Sequence, residues 1–214
     1  MAKASKAKTS NSLIVELAKC FVHPVLADAG FDRRRLRWQR HVQGLIDVIE
    51  FQPSAWNDRT GQAFTVNLGV LVPFVYQTCW QSEEPTFPKE VDCTVRRRIG
   101  VLAAPAGRVK AHDLWWKIAS RSDLDNTASK VLEHLCSYGL PFLARVKSLE
   151  SVRDCLVEDS SSGSATPADL INLAIVSAQL RDSAGAKRIL FDVTDRNPAW
   201  RERARAVATK LGVH

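Results

Sequence analysis

Glu50, Gln52, Thr65 and Asn67 fall at alternate positions in two neighbouring runs of β-branched and aromatic residues. Alternate positions of a strand share a face, so two adjacent strands would gather a carboxylate, two amides and a hydroxyl. Arg98, Asp113, Trp115 and Trp116 are expected nearby, and Trp56 and Asn57 lie on the connection between the runs. A carboxylate, an arginine, amides and indoles around one concavity suit a polar ligand or a peptide. Each residue also has a structural use. Asn67 can satisfy backbone near a bulge, Arg98 can pair with Glu50, and the tryptophans can fill the seam between sheet and helices.

A second chemistry is phosphate binding. Arg33, Arg34, Arg35, Arg37 and Arg40 form one cluster and Arg96, Arg97 and Arg98 another, with Trp38 interleaved. Clustered arginines bind phosphate, and an indole can stack on a base. Yet no nucleic-acid module signature is present. On a strand, Arg35 and Arg37 face one side and Arg34 the other, and basic strand residues also guard sheet edges. The net charge of +7 comes from 30 basic and 23 acidic side chains. The excess sits at the two ends, with nine basic against three acidic residues in 1–40.

Catalysis needs a nucleophile with a base, or paired acids. The chain has no Gly-x-Ser-x-Gly, no phosphate loop, no His-Glu-x-x-His and no dinucleotide fingerprint. His23, His41, His112 and His134 are scattered, and Asp123 and Asp125 read as helix-start partners. No catalytic residue and no cofactor is assigned. Cys20 and His23 with His134 and Cys136 sketch a zinc quartet, but both pairs fall in apolar-periodic segments, so no metal is assigned. The five cysteines are odd in number and read as reduced thiols of a cytoplasmic protein. The most apolar start, Leu13 to Leu26, is broken by Glu16, Lys19, His23 and Pro24, so no membrane partner is expected.

These residues need elements to carry them. Residues 1–11 read as a disordered basic tail holding Lys3, Lys6 and Lys8. A helix follows from Ser12 to Ala29, with Leu13, Leu17, Phe21 and Val25 inward and Pro24 as a kink. Leu36 to Val42, Leu45 to Gln52 and Phe64 to Val70 read as strands of an antiparallel meander, and Arg98 to Ala103 as a fourth. Phe64, Val66, Leu68 and Val70 would face a dry side, with Thr65, Asn67 and Gly69 on a wet one. Asp113 caps a short helix carrying Trp115 and Trp116. Leu124, Ala128, Val131, Leu135 and Tyr138 mark a helix stopped by Gly139 and Pro141. Phe142, Val146, Leu149, Val152 and Leu156 mark the next. Thr166 caps a helix with Pro167 at its first position.

Ala29, Gly30 and Phe31, then Trp38, Gln39 and Arg40, then the runs Ile49 to Asn57 and Phe64 to Val70, together resemble one bacterial family, domain of unknown function 4304. Arg98 to Gly100, Asp113 to Trp116 and Leu140 to Phe142 resemble its later motifs. The resemblance spans residues 12–157 and implies a bacterial α+β domain with no established activity and no catalytic residues to carry over. The organisation expected is a tail (1–11), an α+β domain (12–158), a serine-rich linker (159–165) and a tetratricopeptide-like helical tail (166–214). The fold expected is α+β: a twisted antiparallel sheet of about four strands, packed by the N-terminal helix and further helices, with a C-terminal helical hairpin segment. The role expected is non-catalytic binding of another protein, immunity- or adaptor-like. Nucleic-acid binding through the arginines is the alternative, and the oligomeric state is left open.

Overall fold

The computed structural model describes residues 12–58, 60–104 and 113–213. The basic tail and His112 lie outside the described residues. The fold is α+β: an antiparallel sheet, several helices, and a C-terminal helical segment. Strands β1 (Asp32–Arg34), β2 (Arg37–Val42), β3 (Leu45–Pro53), β4 (Gln62–Leu71) and β5 (Val95–Arg98) follow one another in the sheet. The short β6 (Trp116–Ile118) pairs antiparallel with the start of β4, Phe64 opposite Trp116. Gln43 and Gly44 both have positive φ, 52° and 80°, the geometry of a two-residue hairpin turn between β2 and β3.

Two expected boundaries move. The segment Arg98 to Ala103 is not a strand, because β5 ends at Arg98 and Ile99–Leu102 form a helical turn. Trp115 and Trp116 are not helical, because Trp116 enters β6 beside Phe64. In both places short apolar runs fit helix and strand alike.

The backbone gathers into two compact units. One draws on Met1–Trp38, Ile49–Asn67 and Arg97–Pro141, the other on Gln39–Val48, Leu68–Arg96 and Phe142–His214.

In the first unit α1 (Ser12–Leu17), a π turn (Ala18–Val22) and α2 (His23–Asp28) run on as one helix, ended by Gly30 at φ 84°. The extra residue of the π turn rotates the inward stripe. Ile14, Leu17, Ala18, Val22 and Leu26 are fully buried, while the expected Val25 is exposed. Pro24 has no N–H and its ring crowds the carbonyl four residues back, and a widened turn accommodates both. The same device recurs later. After α5 (Leu124–His134), a π turn (Leu135–Gly139) leads into α6 (Leu140–Arg145) through Pro141, so Gly139 and Pro141 do not stop this helix. Here too the stripe shifts, leaving Tyr138 exposed and Gly139 buried. α5 packs on α1, on the first π turn and on β6. The rings of Trp38, Phe51, Phe64, Trp116, His134 and Tyr138 form a continuous ladder, with centroids 4.8, 5.0, 5.7, 5.6 and 5.8 Å apart in turn.

The second unit holds α3 (Pro73–Trp80), α7 (Leu149–Ser161), α8 (Pro167–Gln179), α9 (Ser183–Arg196) and α10 (Arg201–Leu211). The helix expected from Phe142 through Leu156 breaks before α7, where the Ser148 hydroxyl caps by accepting from Ser151 N at 3.3 Å. Thr166 caps α8 reciprocally with Asp169, and Pro167 takes the first position. α8 lies against α7, α9 and α10, and α3 against α8 and α10. Arg203 fastens α10 to α3, with its guanidinium 4.3 Å over the Trp80 ring and a hydrogen bond donated to the Cys79 carbonyl. Ile46, Val48, Leu71 and Cys93 form an apolar cluster under Tyr76. Gly69 is needed there, since a Cβ would sit 2.6 Å from Cys93 Cβ and Sγ. Among the described residues no helix is long and apolar enough to cross a membrane.

Candidate functional site

Of the four strand residues of the expected site, two are in contact. Asn67 Nδ2 donates to Gln52 Oε1 at 2.8 Å, and Glu50 faces Arg37 at 3.9 Å. Arg98 therefore does not pair with Glu50. The face is not wet along its length, however. Thr65 is fully buried and Asn67 is 5% exposed, and Thr65 Oγ1 and Asn67 Oδ1 have no hydrogen-bond partner among the described residues. A strand covered on both sides loses the polar face that alternation implies.

The remaining candidates separate. Arg98 pairs with Asp113, whose carboxyl is held below its ordinary value by the Trp115 indole and by Arg98. Trp116 turns away from that pair and stacks on Phe64 in the aromatic ladder. Trp56 stands 91% exposed on the β3–β4 connection. Asn57 clips that connection shut: Ala63 N donates to its Oδ1 at 2.6 Å, and its Nδ2 donates to the Ala63 carbonyl at 3.0 Å. His134 lies between Trp116 and Tyr138, and Cys20 and Cys136 are exposed. Among the described residues no three His, Cys, Asp or Glu side chains could together hold a metal ion.

The arginine clusters are drawn into ion pairs. Arg40 binds Asp47 at 2.7 Å, Arg37 faces Glu50, and Arg96 takes both oxygens of Glu90 at 2.7 and 3.2 Å. Glu90 raises the Arg96 guanidinium above its ordinary value. Arg33 is half-buried with its Nε unpartnered, and Arg97 is half-buried. Arg34 and Arg35 stay exposed on and after β1.

A feature that the sequence reading missed lies between α9 and α10. Leu190, Phe191, Thr194, Ala208 and Val213 line a groove of about 470 Å³, rimmed by Lys187, Arg188 and Arg205. Phe191 is 74% exposed there, although Leu190 and Val193 beside it are buried. The signal was one large aromatic out of phase with the inward stripe of Ala186, Leu190 and Val193. A smaller hollow of about 50 Å³, lined by Tyr76, Thr94, Arg96, Asp169 and Asn172 among others, is wide enough for no more than a water or two.

No curated protein and no solved structure matches the chain. The model of the family described as Domain of unknown function (DUF4304) matches residues 22–145, more than half of the 214. Its match takes in the continuous N-terminal helix from Val22, the whole sheet and the aromatic ladder, and ends ahead of the α9–α10 groove. The chain belongs to the DUF4304 family.

Proposed function

We propose that this protein is a non-catalytic protein-binding module, adaptor- or immunity-like, which receives a segment of a partner protein in the groove between α9 and α10. The observation that carries the reading is Phe191, 74% in solvent on an apolar floor of about 470 Å³. A lone exposed aromatic is ordinary, but one that joins an apolar concavity extends it into the kind of apolar patch that interfaces use. The groove between two helices is also a common seat for a partner helix. We read the protein as bacterial and cytoplasmic, with α8 and α9 as a tetratricopeptide-like hairpin appended to the family domain through the serine-rich linker.

A photo-crosslinking residue at position 191, introduced in the native cell, tests the reading. It should trap a protein that the same residue placed at Gln52, on the sheet face, does not trap. Equal labelling from both positions, or none from position 191, would overturn it. Nucleic-acid binding is the competing reading, favoured by the exposed Arg34 and Arg35. It is weakened by the acidic partners of Arg37, Arg40, Arg96 and Arg98. Filter binding of duplex DNA and RNA over a salt series separates the two, because phosphate binding must fall steeply with salt.

A further inference from the structure

The charge around the groove narrows the kind of partner, and this step rests on the protein-binding reading above. Residues 183–213, which build both walls, carry seven basic and three acidic side chains. The three cations on the rim, Lys187, Arg188 and Arg205, are exposed, and none has an acidic partner among the described residues. Asp192 is turned to Arg196, with Oδ1 2.7 Å from its Nε. The groove is therefore an apolar floor inside a one-signed rim. Such a rim repels the chain's own N-terminal segment with Lys3, Lys6 and Lys8, and equally a second copy of the same groove. It attracts carboxylates. The walls set the length: eleven residues of α10 rise about 16 Å, or three turns of helix.

We infer that the α9–α10 groove takes an acidic amphipathic helix of a partner protein, about three turns long. Its apolar stripe packs on Leu190, Phe191 and Val213, and its flanking carboxylates face Lys187, Arg188 and Arg205. Apolar contact supplies the seat, and the cations set the register and reject basic helices.

Fluorescence anisotropy on the full chain tests this with three labelled synthetic peptides: a leucine-striped helix flanked by glutamates, the same stripe flanked by lysines, and the glutamate peptide with its leucines scrambled. The glutamate-flanked helix should bind at least tenfold tighter than either control and weaken with added salt. Phe191→Asp should abolish that binding. The triple variant Lys187→Glu, Arg188→Glu, Arg205→Glu should reverse the preference toward the lysine peptide, a swap that mere misfolding does not produce. Equal affinity for the two striped peptides would overturn the acidic partner while leaving the protein-binding reading standing. Absence of binding to all three would overturn it too, and the crosslink at position 191 would then decide whether that reading survives. Retention of phosphatidylglycerol vesicles or duplex DNA through the same three cations, with no competition from the glutamate peptide, would overturn it in favour of another polyanion.

Discussion

Asp47 keeps 3% of its side chain in solvent, with the Arg40 guanidinium 2.7 Å away. Burial pushes the Asp47 carboxyl above its ordinary value, and the hydrogen bond and charge of Arg40 pull it back only in part. Removing the cation leaves the buried carboxylate with only the charge of Lys147 to favour it, so Arg40→Ala should cost about 3–5 kcal/mol by urea denaturation at pH 7. The pH dependence has a definite sign. Between the unfolded carboxyl value, about 3.9, and the raised folded one, the native state binds more protons than the unfolded chain. The stability contributed by Asp47 is complete below that window and is lost as pH rises through it. The difference in unfolding free energy between wild type and Asp47→Asn should therefore shrink with rising pH across the window and then level off. A difference that grows would mean that the ion pair outweighs burial. Asn57 offers a simpler case. Both ends of its amide hold Ala63, and since the Ala63 carbonyl also accepts from Ser54 N, Asn57→Ala should cost about 1–3 kcal/mol in the same assay mainly through the Ala63 N–H left open. From sequence Asn57 read as a binding candidate, because an amide in a loop looks like a ligand donor until its two partners are known.

At the scale of elements, periodicity was readable wherever the backbone kept one period. The dry face read at Phe64, Val66, Leu68 and Val70 is fully buried in β4, although Thr65 and Asn67 on the face read as wet are buried too, and the caps at Thr166 and Gly30 stand where their residue types require. Reading ran one residue out of phase past each π turn, because nothing in the local pattern announces an extra residue. The expected Val25 and Tyr138 are exposed, and Leu26 and Gly139 are buried instead. Each π turn ends two residues before a proline, Pro24 and Pro141, which is a signal available in hindsight. Magnitudes decide whether proline or packing maintains the bulge. Straightening the first helix would bring Val22 and Leu26 out of the core at about 1.5–3 kcal/mol each, against about 1 kcal/mol for one recovered backbone hydrogen bond. Packing wins, so Pro24→Ala should keep the π turn and change stability by less than about 1 kcal/mol. Leu26→Asp should destabilise strongly with or without Pro24, and Val25→Asp should be tolerated in both backgrounds. Tolerance of Leu26→Asp in the alanine background would show that the helix had straightened.

For the molecule as a whole, the basic excess looked from composition like an affinity for polyanions. Pairing changes that reading: the net charge of +7 counts arginines whose neighbours in space are Glu50, Asp47, Glu90 and Asp113. Proximity in sequence joined these arginines to one another, whereas their acids come from the next strand or turn: Asp47 reaches Arg40 across the β2–β3 hairpin, and Glu90 reaches Arg96 from the turn before β5, so each pairing shows only once the turn is placed. Among the described residues Lys187, Arg188 and Arg205 have no such partners and sit instead around an apolar floor, which is the arrangement the proposed docking of an acidic helix rests on. Stability measurements can separate the two uses of neighbouring side chains in α9. Leu190 is 2% exposed, and truncating it to alanine should cost about 2–5 kcal/mol through lost burial and a residual cavity. Phe191 stands in water, so Phe191→Asp should change stability by no more than about 0.5 kcal/mol and can raise solubility. A thermal melt that shows Leu190→Ala destabilised and Phe191→Asp unchanged places Phe191 outside the core and leaves the groove open to an occupant. A large loss with Phe191→Asp would make it a core residue, and the groove would then be an ordinary seam between two helices with no occupant to find.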